Sequence, residues 1–154
     1  MRWLFRIVPL FLWGLIAAGV GGFFFFVGSQ PVPAEAALTN TQGVVVAASQ
    51  LTKKKRRRSD KVSYKFTVQD GAGAKTEFSM PESEISESQV QSIMGQTVTV
   101  KHDGGSVYAL SSAAGDIRTY AQSRKSMEEV NGFNRNLGMG LIPLGLVIFA
   151  GSLW

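Results

Sequence analysis

Hydrophobic positions along the chain fall into three regimes. At either end they run without a charge, from Ile7 to Val27 and from Leu137 to Trp154. Between these blocks they alternate with polar residues at the period of two that marks a strand, and near the second block they shift to the period of about 3.6 that marks a helix. Twenty-one residues of helix reach about 31 Å and eighteen reach about 27 Å, against a hydrocarbon layer of about 30 Å. Each block is long enough to cross a bilayer. The pattern predicts two membrane helices holding a polar domain of roughly a hundred residues, with both chain ends on the side opposite that domain.

The segment Ser29 to Asn40 holds Pro31 and Pro33 and no periodicity, which predicts an extended linker. Gly43 to Leu51 is valine-rich and reads as a first strand. In the next, Val62, Tyr64, Phe66 and Val68 alternate with Ser63, Lys65 and Thr67, which turns the aromatics toward a core. Asp70-Gly71-Ala72-Gly73 supplies a turn, and Thr76, Phe78 and Met80 alternate with Lys75, Glu77 and Ser79 in a third strand. Pro81 ends it. A short helix is expected over Glu82 to Met94, capped by Gly95, then strands over Gln96 to His102 and Ser106 to Leu110, joined by Asp103-Gly104-Gly105. From Asp116 onward, Ile117, Tyr120, Ala121, Met127, Val130 and Phe133 fall near one helical face, and that helix runs into the second block.

The fold class expected is therefore a membrane-anchored α+β protein: two transmembrane helices flanking a small five-stranded β domain with one short helix. Its organisation is residues 1–28 for the first span, 29–42 for a linker, 43–112 for the β domain, 113–136 for an amphipathic linker helix and 137–154 for the second span. The order of three strands, helix and two strands is that of the OB-fold barrel, and a simple meander with a helical crossover shares it.

Charge refines this picture. The net charge of +5 comes from one run, Lys53, Lys54, Lys55, Arg56, Arg57 and Arg58. Fourteen Lys or Arg and eleven Asp or Glu lie between the spans; six of the fourteen are this run, so the rest of the domain holds eight basic against eleven acidic residues. A general nucleic-acid surface is not indicated. With no cysteine, thiolate catalysis, thiolate metal sites and disulfides are excluded. Arg2 and Arg6 precede the first span and no Lys or Arg follows it before Lys53, which favours a cytoplasmic N-terminus and an extracytoplasmic domain. Arg118, Arg124, Lys125 and Arg135 pull the other way, accompanied by Asp116, Glu128 and Glu129. Val32-Pro33-Ala34 would suit signal-peptide cleavage, but the first block exceeds the usual apolar core of about 7 to 15 residues and predicts an uncleaved anchor.

Few residues suggest chemistry. The run Lys53 to Arg58 suits anionic headgroups or another polyanion, beside the plainer reading of a solvated connection. Nucleic acid is disfavoured, because the outward positions Lys65, Thr67, Glu77 and Ser79 offer no stacking platform. His102, the one histidine, stands beside Asp103 without the partners that a metal site or acid-base pair requires, and reads as a rim or turn residue. Glu82, Glu84 and Glu87 are explained by the dipole of the expected helix. In the first span Gly14, Ala18 and Gly22 place small side chains on one face, with the second span as nearest partner and a second copy as another. Phe23 to Phe26 read as lipid anchors, and the absence of ionisable residues from both blocks argues against a transport path.

The run Gly43-Val44-Val45-Val46, the segment Val62-Ser63-Tyr64-Lys65-Phe66 with Asp70-Gly71, and Val98-Thr99-Val100-Lys101 before Tyr108-Ala109-Leu110, set between two membrane helices, resemble a bacterial membrane-protein family, the domain of unknown function numbered 3592. Members carry a proline-containing turn where this chain has Asp103-Gly104-Gly105. The resemblance implies this architecture and a bacterial inner-membrane location and brings no catalytic residue or cofactor. The expectation is a non-enzymatic accessory or interaction module of the cell envelope, its partners being membrane lipid and a protein or second copy. Polyanion binding through the basic run is the alternative, and an enzyme built around His102 a third reading.

Overall fold

The computed structural model describes residues 4–53 and 61–151. The chain divides into two compact units, residues 33–124 and a second unit formed by residues 1–32 with 125–154.

In the unit 33–124, a 3-10 turn over Glu35–Ala37 precedes β1 (Thr39–Lys53), β2 (Lys61–Gln69), β3 (Lys75–Pro81), α2 (Glu87–Ser92), β4 (Thr97–Asp103), β5 (Ser106–Ser112) and β6 (Gly115–Arg118). The six strands form one antiparallel sheet in the order β3-β2-β1-β4-β5-β6. The number of strands is thus six rather than the five expected. The sixth arises because Ser112 turns the chain: its hydroxyl accepts from the Ala114 amide, and Gly115, at φ +130°, starts a return strand where the sequence pattern suggests a helix.

β1 is the longest strand because it serves two partners. Its first part, Thr39–Val44, pairs with β4, and its second, Val44–Lys53, pairs with β2. A bulge between Val45 and Ala47 marks the change, and Val45 there exchanges backbone hydrogen bonds with Gly95 and Gln96. Gly43 sits where the chains crowd: a Cβ at this position would lie 2.6 Å from the Gln69 carbonyl carbon and 2.9 Å from Val68 Cγ1. Gly43→Ala is accordingly expected to destabilise the domain by about 2 kcal/mol, seen as faster hydrogen exchange across β1, β2 and β4.

The alternation in β2 buries Tyr64, Phe66 and Val68, and β3 adds Phe78 and Met80. With Val98 and Val100 from β4, Leu110 from β5, and Ile85, Val90 and Ile93 around α2, they make one core. Asp70 closes the β2–β3 turn by accepting from the Ala72 and Ala74 amides, both at 2.9 Å. α2 is shorter than the expected Glu82–Met94. Ser86 stops it with a capping box: its hydroxyl accepts from the Gln89 amide, and its own amide donates to Gln89 Oε1 at 2.9 Å. Of the three glutamates, Glu87 alone lies in the first turn, so the dipole does not account for Glu82 and Glu84.

The other unit is built from α1 (Leu4–Gly28) and the greater part of α3 (Tyr120–Gly151). Both are long and apolar enough to cross a membrane. Their apolar side chains are not packed away as in the core helix of a soluble protein: Trp13 is 65%, Phe26 66% and Val147 69% exposed.

Candidate functional site

Within the helical unit, α1 and α3 run antiparallel with their backbones in contact. Gly14 and Gly145 face one another, since a Cβ on Gly14 would lie 2.9 Å from the Gly145 oxygen and one on Gly145 would lie 2.7 Å from the Gly14 oxygen. Seven residues on, a Cβ on Gly21 would meet Ile142 N at 2.8 Å, and one on Gly138 would meet the Gly21 oxygen at 2.6 Å. Seven further on, Gly28 lies against Asn131 and Arg135. All five glycines are buried. Small residues allow this approach, and the seven-residue period keeps the seam facing its partner in left-handed packing. Asn131 Nδ2 donates to the Gln30 carbonyl at 3.0 Å and closes one end of the seam.

Gly14 and Ala18 of the sequence-derived face lie on this seam, but a Cβ on Gly22 would meet nothing within 4 Å. A spacing of four residues drifts off a face that the seven-residue repeat holds, so Gly21 occupies the place expected for Gly22. The register also sets the polar end of the first apolar block, at Gly28, level with the polar flank of the second, at Asn131 and Arg135. The two apolar blocks therefore lie side by side.

In the β unit, the most enclosed polar arrangement centres on Arg118. Only 7% exposed, it forms an ion pair with Glu84 through one terminal nitrogen, while Nε donates to Ser123 Oγ at 2.5 Å. The Ser123 hydroxyl in turn donates to the Tyr108 carbonyl at 2.6 Å. Beside it a cavity of about 190 Å³ is lined by Thr99, Lys101, Ser111, Asp116 and Tyr120. Lys101 Nζ donates to Glu35 at 2.6 Å and the Tyr120 hydroxyl to the Pro33 carbonyl at 2.7 Å. The cations here are engaged with carboxylates, Lys101 with Glu35 and Arg118 with Glu84, as in a structural network.

His102 shares a 2.9 Å hydrogen bond with Thr41 Oγ1 and packs its ring 4.9 Å from that of Phe78. Its Nδ1 is buried with no hydrogen-bond partner among the described residues. Among the same residues, no group of three or more metal-ligating side chains gathers. Burial raises the Tyr64 phenol above its usual value near 10, helped by the charges of Glu82 and then Glu87. Burial does the same for Tyr108, with Asp103 and Tyr120 adding to it. A proton held more tightly by the folded state stabilises fully below the unfolded value, and that stability falls as pH rises from about 10 through the raised value. Tyr64→Phe is expected to flatten this alkaline loss in thermal melts between pH 9 and about 11.

Of the basic run, Lys53 is the last residue of β1 and pairs in register with Lys61, the first of β2. Lys54 to Arg58 lie outside the described residues. Outward positions on β2 and β3 are polar, as the sequence suggests, with Lys65 and Glu77 in an ion pair. Comparison with known proteins finds no matching family model, curated protein or solved structure.

Proposed function

We propose that this chain is a two-pass protein of the bacterial inner membrane that presents a small β domain beside the bilayer as a non-enzymatic accessory or interaction module of the cell envelope. The observation that carries the reading is the glycine seam. It aligns two apolar helices whose remaining faces are exposed hydrocarbon, an arrangement that suits lipid and is costly in water. Along the chain, few residues separate Gly28 from the first element of the β unit, and β6 leads directly into α3 at Tyr120. The Arg2 and Arg6 flank favours the extracytoplasmic side for the domain.

The strand order β3-β2-β1-β4-β5, with α2 between β3 and β4 and with β3 and β5 drawn near one another, supports a partly open OB-like barrel to which β6 is an addition. Membership of the family numbered 3592 is part of this reading and rests on the sequence segments around Gly43, Val62 and Val98 that carry the resemblance. Purification in mild detergent at near-native abundance tests the role: a stoichiometric partner or a homo-oligomer is expected, and a monomer without partners contradicts it.

A second reading, anionic-lipid or polyanion binding through Lys53 to Arg58, is favoured by one observation. Lys53 stands in register with Lys61 in the β1–β2 ladder, so the basic run starts beside a further lysine of the sequence. Binding to vesicles rich in anionic headgroups should fall steeply with added salt and disappear when all six residues are replaced by Gln. Unchanged, salt-insensitive binding contradicts it.

A further inference from the structure

β1 has a free edge. From Ala47 to Lys53 it pairs with β2 on one side, whereas its pairing with β4 on the other side ends at Val44 and the last backbone contact there is that of Val45 with Gly95 and Gln96. Among the described residues no strand continues the sheet beyond this edge. Alternate residues over seven positions thus direct amide and carbonyl groups away from the sheet. The segment is open on its faces as well. Ala47, Ser49, Gln50, Leu51 and Thr52 are all exposed and only Ala48 touches the core. Val46 and Leu51, at 41% and 44% exposure, offer apolar side chains beside the free backbone.

Natural sheets cover such edges, shorten them or guard them with charge. Here the edge is long and one end leads into Lys53, opposite Lys61, with five further cations following in sequence. Charge of one sign at the end of an open strand repels a second copy brought into parallel register and attracts an anionic one. We propose that the edge Ala47–Lys53 is a strand-addition site for an extended acidic segment of a partner protein, which pairs with β1 through main-chain hydrogen bonds and sets carboxylates toward the basic end. The inference rests on the reading of the domain as an interaction module and names the chemistry of its partner.

The test uses the full chain in detergent micelles and a fluorescein-labelled eight-residue peptide of alternating Glu and Val, followed by fluorescence anisotropy. A second peptide carries N-methyl groups on alternate amides along the edge that would meet β1, which removes those donors and leaves charge and composition unchanged. Saturable binding of the first peptide, at least about tenfold weaker for the methylated one, together with slowed hydrogen exchange at alternate amides of Ala47–Lys53, is the expected result. Equal binding of the two peptides, abolished when Lys53 to Arg58 become Gln, overturns strand addition in favour of charge alone. No saturable binding also overturns it and leaves the cations as guards of the edge. If Ser49→Cys forms a disulfide-linked dimer under mild oxidation that excludes the peptide, the occupant is a second copy and the proposal fails. Failure of the module reading shows separately, as a monomer without partners at near-native abundance.

Discussion

Gly21→Leu and Gly138→Leu are each expected to separate α1 from α3, whereas Gly22→Leu is expected to leave them paired. The contrast between adjacent glycines follows from the seam. A Cβ on Gly21 would stand 2.8 Å from Ile142 N and 2.9 Å from Leu141 Cβ, and one on Gly138 would stand 2.5 Å from Phe25 N. The obstructing atoms are largely backbone, so no rotamer change clears them. The helices must move apart, and the contacts at Gly14–Gly145 weaken with them. Overpacking of this kind costs about 3 kcal/mol, and helix pairing in lipid has little hydrophobic drive to offset it. Gly22 has nothing within 4 Å of its Cβ position, and a leucine there extends into hydrocarbon. Cross-linking of a Phe11→Cys, Phe149→Cys pair by a short bis-maleimide reads the outcome, because those rings lie 4.7 Å apart. The yield should collapse with either seam substitution and persist with Gly22→Leu.

Glu84→Ala is expected to destabilise the β domain by about 3 kcal/mol, and Glu84→Leu combined with Arg118→Met is expected to restore most of the loss. Arg118 is buried, and its ion pair with Glu84 offsets the removal of its charge from water. Deleting one member of such a pair leaves an uncompensated charge and costs about 3 to 5 kcal/mol when both are fully buried. The Glu84 side chain retains 29% exposure, which places the expected cost at the lower end. Replacing both with apolar groups removes the uncompensated charge. Because Arg118 Nε also donates to Ser123, the double variant leaves that hydroxyl its bond to the Tyr108 carbonyl and loses one donor only. Hydrogen exchange in β5 and β6 measures all three proteins.

The parts of the fold readable in the sequence are those where a period is sustained and bounded. β2 shows this, with Tyr64, Phe66 and Val68 between the basic run and Asp70-Gly71. Short elements set by tertiary contact were not readable. β6 spans four residues, and its Ile117 suits a helical period as well as a strand. The start of α2 depended on which serine or glutamate would cap it; Ser86 won through its pairing with Gln89. Glu84 was freed by that choice to meet Arg118, thirty-four residues away in sequence, a partner no local pattern encodes. The glycine seam was half readable. Gly14 and Ala18 were apparent within α1, but choosing Gly21 over Gly22 required the opposing period of Gly138 and Gly145. The free edge of β1 follows from where β4 stops pairing, which no stretch of the chain announces.

The central claim is that two paired spans hold the β domain on the outer side of the membrane. The chain lacks cysteine, so single replacements report without background. Ser49→Cys, exposed on β1, should react with a membrane-impermeant maleimide in intact bacterial cells, while Ser152→Cys, near the far end of the second apolar block in sequence, should react only after permeabilisation. Labelling of both positions, or of neither, in intact cells would contradict the two-span arrangement; labelling of Ser152→Cys alone would contradict the orientation.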